Sequence, residues 1–306
     1  MGLAGGWSGL AAEGSAWHWQ QAADSLALLR QDQVIWKFQC GTNATKPCFH
    51  PLALPDGPTL TWDRPPDHRW HRALWFSWKY LNGVNYWEED PKTGLAAGRT
   101  QWESPRLEAR PDFSARITQA LSYRPAQGKP VMTEARVIEV SAPRADGAYL
   151  MSWHHRFTAL EDLVLDRTPL PDEPDGKPYG GYAGLSVRLA EGITDIRAVT
   201  ADSPVTFAGG RFRGKSPALD YSGNFGGKEA GLAIFDHPQN LNAPSPWYVI
   251  NDGPMHYFSP AVLCYQKQTL KTGQTLELRY GVLIHPGRLE SASLKAAREA
   301  WLEKMK

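Results

Sequence analysis

A period of two runs through most of this sequence. Short segments alternate apolar and polar side chains and are broken by Gly, Pro, Asn or Asp, which is the pattern of half-buried β-strands. In the last of them Leu276, Leu278, Tyr280, Val282 and Ile284 fall on one side, with Glu277, Arg279, Gly281 and His285 among the rest. Strands are expected over 34–38, 70–80, 113–123, 131–140, 148–158, 185–189, 231–235, 247–250, 261–268 and 275–284. Asn82-Gly83, Asp146-Gly147 and Thr272-Gly273 lie between runs, where hairpins turn. Only the end departs: Leu294, Ala297, Trp301, Leu302 and Met305 recur at helical spacing, with Ser291 placed to cap. About fifteen strands and one late helix predict an all-β fold, a large antiparallel two-sheet β-sandwich with a C-terminal helix. The expected organisation is an irregular N-terminal segment over 1–25 and one sandwich domain over 26–306. The Pro- and Gly-rich stretch Pro169–Gly181 is read as a surface loop within that fold.

Charge narrows the function classes. Lys and Arg total 33 and Asp and Glu 32, a net charge of +1, so no basic field exists to neutralise a phosphate backbone. No run approaches the ~18 apolar residues of a membrane helix. Periplasmic or secreted location is the expectation. A cytoplasmic one stays open, because Met1–Ala12 lacks the basic and apolar parts of a complete signal peptide. Cys40, Cys48 and Cys264 show no metal-type spacing and read as isolated buried thiols, with a Cys40–Cys48 pair left open. The absence of a phosphate loop, a Gly-x-Ser-x-Gly elbow and His-Glu-x-x-His disfavours nucleotide chemistry, serine hydrolysis and zincin proteolysis.

The most unusual segment runs from Asp63 to Trp78. Pro65-Pro66 holds the chain extended before Asp67-His68-Arg69-Trp70-His71. The strand then begins, and His71, Ala73, Trp75 and Ser77 share a face that is neither an ordinary core nor an ordinary solvated face. It reads as a floor with room above it, Trp75 being a platform for a sugar ring and His71 a proton-transferring group. Asp67 and His68 stand at its mouth, where a carboxylate can orient an imidazole. His68-x-x-His71 can share a divalent metal only if the backbone turns between them. Asp236-His237 and His256-Tyr257 follow strand ends, where binding loops lie. His155 lies within a strand, and Glu134 shares a strand face with Arg136, as either a cleft carboxylate or part of a solvated face.

The chain resembles the PmoA-like family of bacterial proteins. The resemblance rests on Lys46-Pro47-Cys48-Phe49-His50-Pro51 and, most specifically, on Pro66-Asp67-His68-Arg69-Trp70-His71-Arg72-Ala73-Leu74-Trp75-Phe76. Gly180–Arg188, Gly231–Pro238, Pro246-Trp247-Tyr248 and Leu276–Gly287 extend it. Trp70 stands where members often carry a further His, and Ala73 where they carry Gly. The resemblance implies a sandwich like the galactose-mutarotase supersandwich, the large fold of sugar mutarotases, lyases and hydrolases. The resulting expectation is an enzyme cleaving a glycosidic bond in an oligosaccharide or glycoside. His71, Asp67, His155 and His237 would be its catalytic groups. Trp75, His68, Glu134, Arg188, Asp236, His256 and Tyr257 would bind substrate, Arg188 holding a carboxylate or hydroxyl. Behind it stand a non-catalytic sugar-binding sandwich, a sugar epimerase and a metal-dependent oxygenase.

Overall fold

The computed structural model describes residues 16–42 and 44–306. In chain order the strands are β1 (Trp17–Ala22), β2 (Ser25–Arg30), β3 (Gln33–Gln39), β4 (Cys48–Leu52), β5 (Leu74–Ser77), β6 (Tyr80–Leu81), β7 (Val84–Asn85) and β8 (Gly98–Trp102). They continue as β9 (Arg106–Ala109), β10 (Ala115–Pro125), β11 (Met132–Val140), β12 (Tyr149–Ala159), β13 (Leu163–Asp166), β14 (Gly184–Arg188) and β15 (Thr194–Thr200). The rest are β16 (Arg211–Lys215), β17 (Ala218–Phe225), β18 (Lys228–Asp236), β19 (Pro246–Asp252), β20 (Met255–Pro260), β21 (Gln268–Leu270) and β22 (Thr275–Pro286), followed by helix α1 (Ser291–Lys304).

Two nine-stranded antiparallel sheets face each other. Sheet 1 has the order β1-β2-β3-β4-β5-β14-β20-β19-β16. Sheet 2 has the order β15-β17-β18-β22-β12-β11-β10-β8, with β9 also on β10. Half of the residues are in strands and 5% in helix, so the all-β sandwich with one C-terminal helix is what the chain forms. A small third sheet, β21-β13-β6-β7, was not expected. Nor was β1: residues 17–22, assigned to an irregular segment, pair in register with β2, while residues 1–15 lie outside the described residues.

The alternation sorts side chains as the period requires. Leu74, Phe76, Leu185, Val187, Val249 and Phe258 point from sheet 1 into the main core, where they meet Ile138, Trp153, Phe157 and Tyr280 of sheet 2. Sheet 2 buries its other face beneath α1, through Leu150, Ala218, Ala233, Phe235 and Leu283 against Leu294 and Trp301. Full burial of a leucine such as Leu294 is worth about 1.5–3 kcal/mol. Glu290, not Ser291, is the N-cap; the Ser291 hydroxyl donates instead to the Thr200 carbonyl at 2.9 Å, tying the helix start to the end of β15.

The core carries one charged knot. Arg136 donates to both oxygens of Glu134 at 2.6 and 3.0 Å, His155 Nδ1 lies 2.7 Å from the same carboxylate, and the Tyr123 hydroxyl donates to it as well. All four side chains are buried between the sheets, and His155 packs on Phe76 at 4.4 Å. Neither expectation for Glu134, cleft carboxylate or solvated face, holds. The strand parity that turns Ile138 and Trp153 inward turns Glu134 and His155 inward too.

Two predictions follow from this packing. A Cβ on Gly281 would lie 2.8 Å from the Phe235 ring and 2.9 Å from the Trp301 indole. Gly281→Ala should cost about 1–3 kcal/mol in urea unfolding; an unchanged midpoint would mean that α1 can ride up without loss. Burial also pushes the His155 imidazole down to about 4, the opposing pull of Glu134 notwithstanding. The unfolded chain binds this proton near pH ~6.5 and the folded one does not. Stability is therefore full above pH ~6.5 and falls as pH drops toward 4, by about 3 kcal/mol for this residue. Melting curves over that interval should show the loss, and His155→Gln, which does not titrate, should remove that share of the slope.

Candidate functional site

The outer face of sheet 1 is also apolar. Pairing of Ser186 with Trp75, Arg188 with Tyr257 and Ile250 with Tyr257 puts these side chains together on the face turned away from sheet 2. Trp75, Trp87, Tyr182, Tyr248, Ile250 and Tyr257 form a second apolar cluster there, with Trp70 and Met255 at its margin. Above this cluster opens a cavity of about 550 Å³, a normal size for a small-molecule site.

Two rows of rings make its floor. One runs from Tyr182 through Trp87 to His71, with centroids 5.1 and 6.2 Å apart. The other runs from Tyr182 through Tyr248 and Tyr257 to His71, with separations of 6.4, 6.1 and 5.4 Å. Trp75 is not the platform expected of it. It is fully buried beneath His71, Trp87 and Tyr257, and does not line the cavity.

The histidine end is built by a turn. Residues 70–73 do not continue the strand that begins at Leu74. The His68 N–H donates to the Pro65 carbonyl at 3.1 Å and the His71 N–H to the His68 carbonyl at 2.9 Å, coiling the segment. His68 and His71 therefore come together, their rings stacked at 4.7 Å and both lining the cavity. Asp67 orients His68 rather than His71: its Oδ2 accepts from His68 Nδ1 at 3.0 Å and from Arg188 Nη2 at 2.8 Å. Arg188 is fully buried, donates also to the Pro254 carbonyl at 3.0 Å and sits over the Trp62 ring. It stands behind Asp67 and is not a cavity-lining group.

Burial opposes the Asp67 charge, but hydrogen bonds from His68 and Arg188 hold the carboxyl below its ordinary range. Burial, reinforced by His68, Arg188 and Lys46, pushes the His71 imidazole well down, so it is neutral at neutral pH. Among the described residues no group of three or more His, Cys, Asp and Glu is arranged to hold a metal. Asp67 Oδ2 is already bonded twice, to His68 and Arg188.

The other end was not foreseen from sequence. Glu88 accepts from Asn85 at 2.7 Å, from the Tyr182 hydroxyl at 2.6 Å and from Lys79. Burial pushes its carboxyl up, yet the Lys79 ammonium and these hydrogen bonds outweigh that and keep it below the usual range. Lys79 lies over the Tyr80 and Tyr182 rings at 4.8 and 5.2 Å. Lys46, itself buried, donates to the carbonyls of Trp70 and Trp87 at 3.3 and 2.9 Å and so fixes two walls at once. The 169–182 loop supplies a third wall through Asp175, Lys177, Tyr179 and Tyr182. Arg213 donates to its Pro178 and Gly180 carbonyls at 2.7 and 2.9 Å.

Of the expected site residues, the structure brings His71, His68 and Tyr257 to the cavity and sets Asp67 and Arg188 directly behind them. It excludes the others. His155 and Glu134 are in the core, and His256 alternates with Tyr257 and turns away from the cavity. Asp236 closes the turn after β18 through Asn240 Nδ2 at 2.7 Å and the Ser245 N–H at 2.8 Å, its carboxyl pushed up to about 6 by burial. His237 stands against Trp301 at 6.1 Å, on the outer face of sheet 2 and thus across the molecule from His71. The three cysteines are free and buried.

The Asp67 bond fixes His68, when neutral, with its proton on Nδ1 and Nε2 open as acceptor. Asp67→Ala should convert this single tautomer into a mixture in nitrogen-15 spectra of the imidazole. An unchanged tautomer would remove the orienting role.

No curated protein matches the sequence. Among solved structures it is similar to an aldose 1-epimerase, so described, of Klebsiella pneumoniae, at 9% identity and TM-score 0.46, over 94% of this chain and 87% of that one. It is similar also to an α-galactosidase of Geobacillus stearothermophilus (9% identity, TM-score 0.44, 92% of this chain) and to the galactosidase domain of an α-galactosidase–sucrose kinase (10%, 0.41, 92%). The match spans only 41% and 42% of those two chains. The model of a family of unknown function, DUF6807, matches residues 25–299, and the chain belongs to that family.

Proposed function

We propose that this protein is a carbohydrate-active enzyme that holds a saccharide over the aromatic floor of the cavity and breaks a glycosidic bond by histidine acid–base chemistry. The observation that carries the reading is the Arg188–Asp67–His68 relay opening beside His71 onto that floor. A carboxylate-oriented imidazole with one nitrogen facing a cavity is suited to moving a proton, and flat aromatic faces suit the apolar faces of sugar rings. Glu88 argues against two-acid hydrolysis, because three donors already occupy its oxygens. Elimination fits better. His68 would take a proton from a carbon acidified by a neighbouring carbonyl or carboxylate. The C–H electron pair would form the new double bond, the C–O bond would break, and the departing oxygen would take the same proton back from the His68 imidazolium, which restores the neutral ring. His71, held neutral, supports the His68 ring and can accept a second hydrogen bond.

A Glu88 already engaged by three donors also fits a second reading, a site that binds sugar without transforming it. A screen against oligosaccharides and glycosides, including uronic-acid and oxidised sugars, separates the two. His68→Ala should keep its melting temperature and lose ~10²–10⁴-fold in turnover. His71→Phe, which keeps the stack and removes the nitrogens, should lose turnover as well. Binding of a saccharide with no product from any member of the screen would leave the binding module; full activity in His68→Ala would end the catalytic assignment.

A further inference from the structure

The cavity is divided by chemistry along its length. At one end Lys79, Asn85, Glu88 and Tyr182 form a connected polar cluster, and Thr168 reaches the Tyr182 hydroxyl at 3.4 Å. At the other, around His68 and His71, the surfaces are Trp70, Met255, Ile250 and Tyr257. Met255 is placed there by its own strand end: the preceding Pro254 carbonyl accepts from Arg188, which holds Asp67, which holds His68. A sugar ring, dense in hydroxyls, is matched by the first end. Beyond the His68 and His71 imidazoles the second end presents aromatic and aliphatic surfaces, and burying sugar hydroxyls unpaired against these is costly. The floor between the two is made of aromatic rings.

Resting on the saccharide reading above, we infer that the site takes a small glycoside with an aromatic or similarly apolar aglycone, rather than a chain of sugars. The sugar hydroxyls meet the Glu88 cluster, and the aglycone lies over Tyr257 between Trp70, Ile250 and Met255. The 169–182 wall fits this reading. It stands across the outer face of sheet 1 at the polar end, so the cavity is a pocket on that side and not a groove continuing along the sheet. An oligosaccharide could extend only toward the apolar end, where its hydroxyls would find Met255 and Ile250.

The test is calorimetric titration of the intact protein with paired methyl and phenyl glycosides of glucose, galactose and glucuronic acid, together with the corresponding disaccharides. For whichever sugar binds, the phenyl glycoside should bind about tenfold more tightly than the methyl glycoside and than the disaccharide. Met255→Asp, at a half-buried position on the cluster margin, should abolish that preference by weakening the phenyl glycoside more than the methyl glycoside. Because an added charge could act beyond its own contact, Met255→Ser provides the neutral control and should reduce the preference in the same direction. Equal affinity for the methyl and phenyl members, or tighter binding of the disaccharide, would overturn this inference while leaving the saccharide reading standing. No binding by any of the probes would overturn both.

Discussion

Sheet 1 is apolar on both faces at its middle, and the molecule is arranged around covering it. The register of β5, β14, β20 and β19 sends Leu74, Leu185, Phe258 and Val249 one way and Trp75, Tyr257 and Tyr248 the other. Sheet 2 covers the first set. The second is covered by the 63–73 turn, the 85–90 segment and the 169–182 loop, with Tyr80 and Asn85 of the small third sheet at its edge. Loops cannot fill a sheet face as closely as another sheet does, and the remaining space is the cavity. The site is thus the unfilled part of a second, smaller core.

Loops in such a position need fixing, and here charged side chains do it. Lys46 bridges two backbone segments, Arg188 and Asp67 fasten the turn to the β19–β20 hairpin, and Arg213 fastens the 169–182 loop to β16. Desolvating such cations is costly, and each is met by carbonyls or a carboxylate in return. Arg188 with His68 holds Asp67 ionised against burial, Lys79 does the same for Glu88, and burial, reinforced by His68, Arg188 and Lys46, keeps His71 neutral. Positioning and charge state therefore have a common origin.

Period-two alternation made the strands legible, because Leu276, Leu278, Tyr280, Val282 and Ile284 must all face one way if they form a strand at all. It also marked the 63–78 region as unusual. It failed at 70–73, where local hydrogen bonds between Pro65, His68 and His71 wind the chain before pairing starts. It also failed for His155 and Glu134, since parity tells which residues share a face but not that a core would accept an ion pair. Trp87, Glu88 and Tyr182 were missed because they meet the histidines only in three dimensions, from segments with turn-like composition. A tryptophan followed by two glutamates just after Asn82-Gly83 was the available hint.

The 169–182 wall differs from a lid. A Cβ on Gly180 would stand 1.9 Å from the Pro169 carbonyl oxygen, so the two ends of the loop are pressed backbone to backbone. Its Lys177 and Gly181 N–H groups are spent on the Pro169 and Thr168 carbonyls at 3.1 and 2.9 Å. A segment closed on itself in this way has little conformational freedom left to surrender. Ligand entry then incurs no ordering entropy from this side and has no gate to wait for. For a ligand of this cavity, capture would be an encounter with a surface preformed on this side, and residence time would rest on desolvation of the rings rather than on the opening of a door.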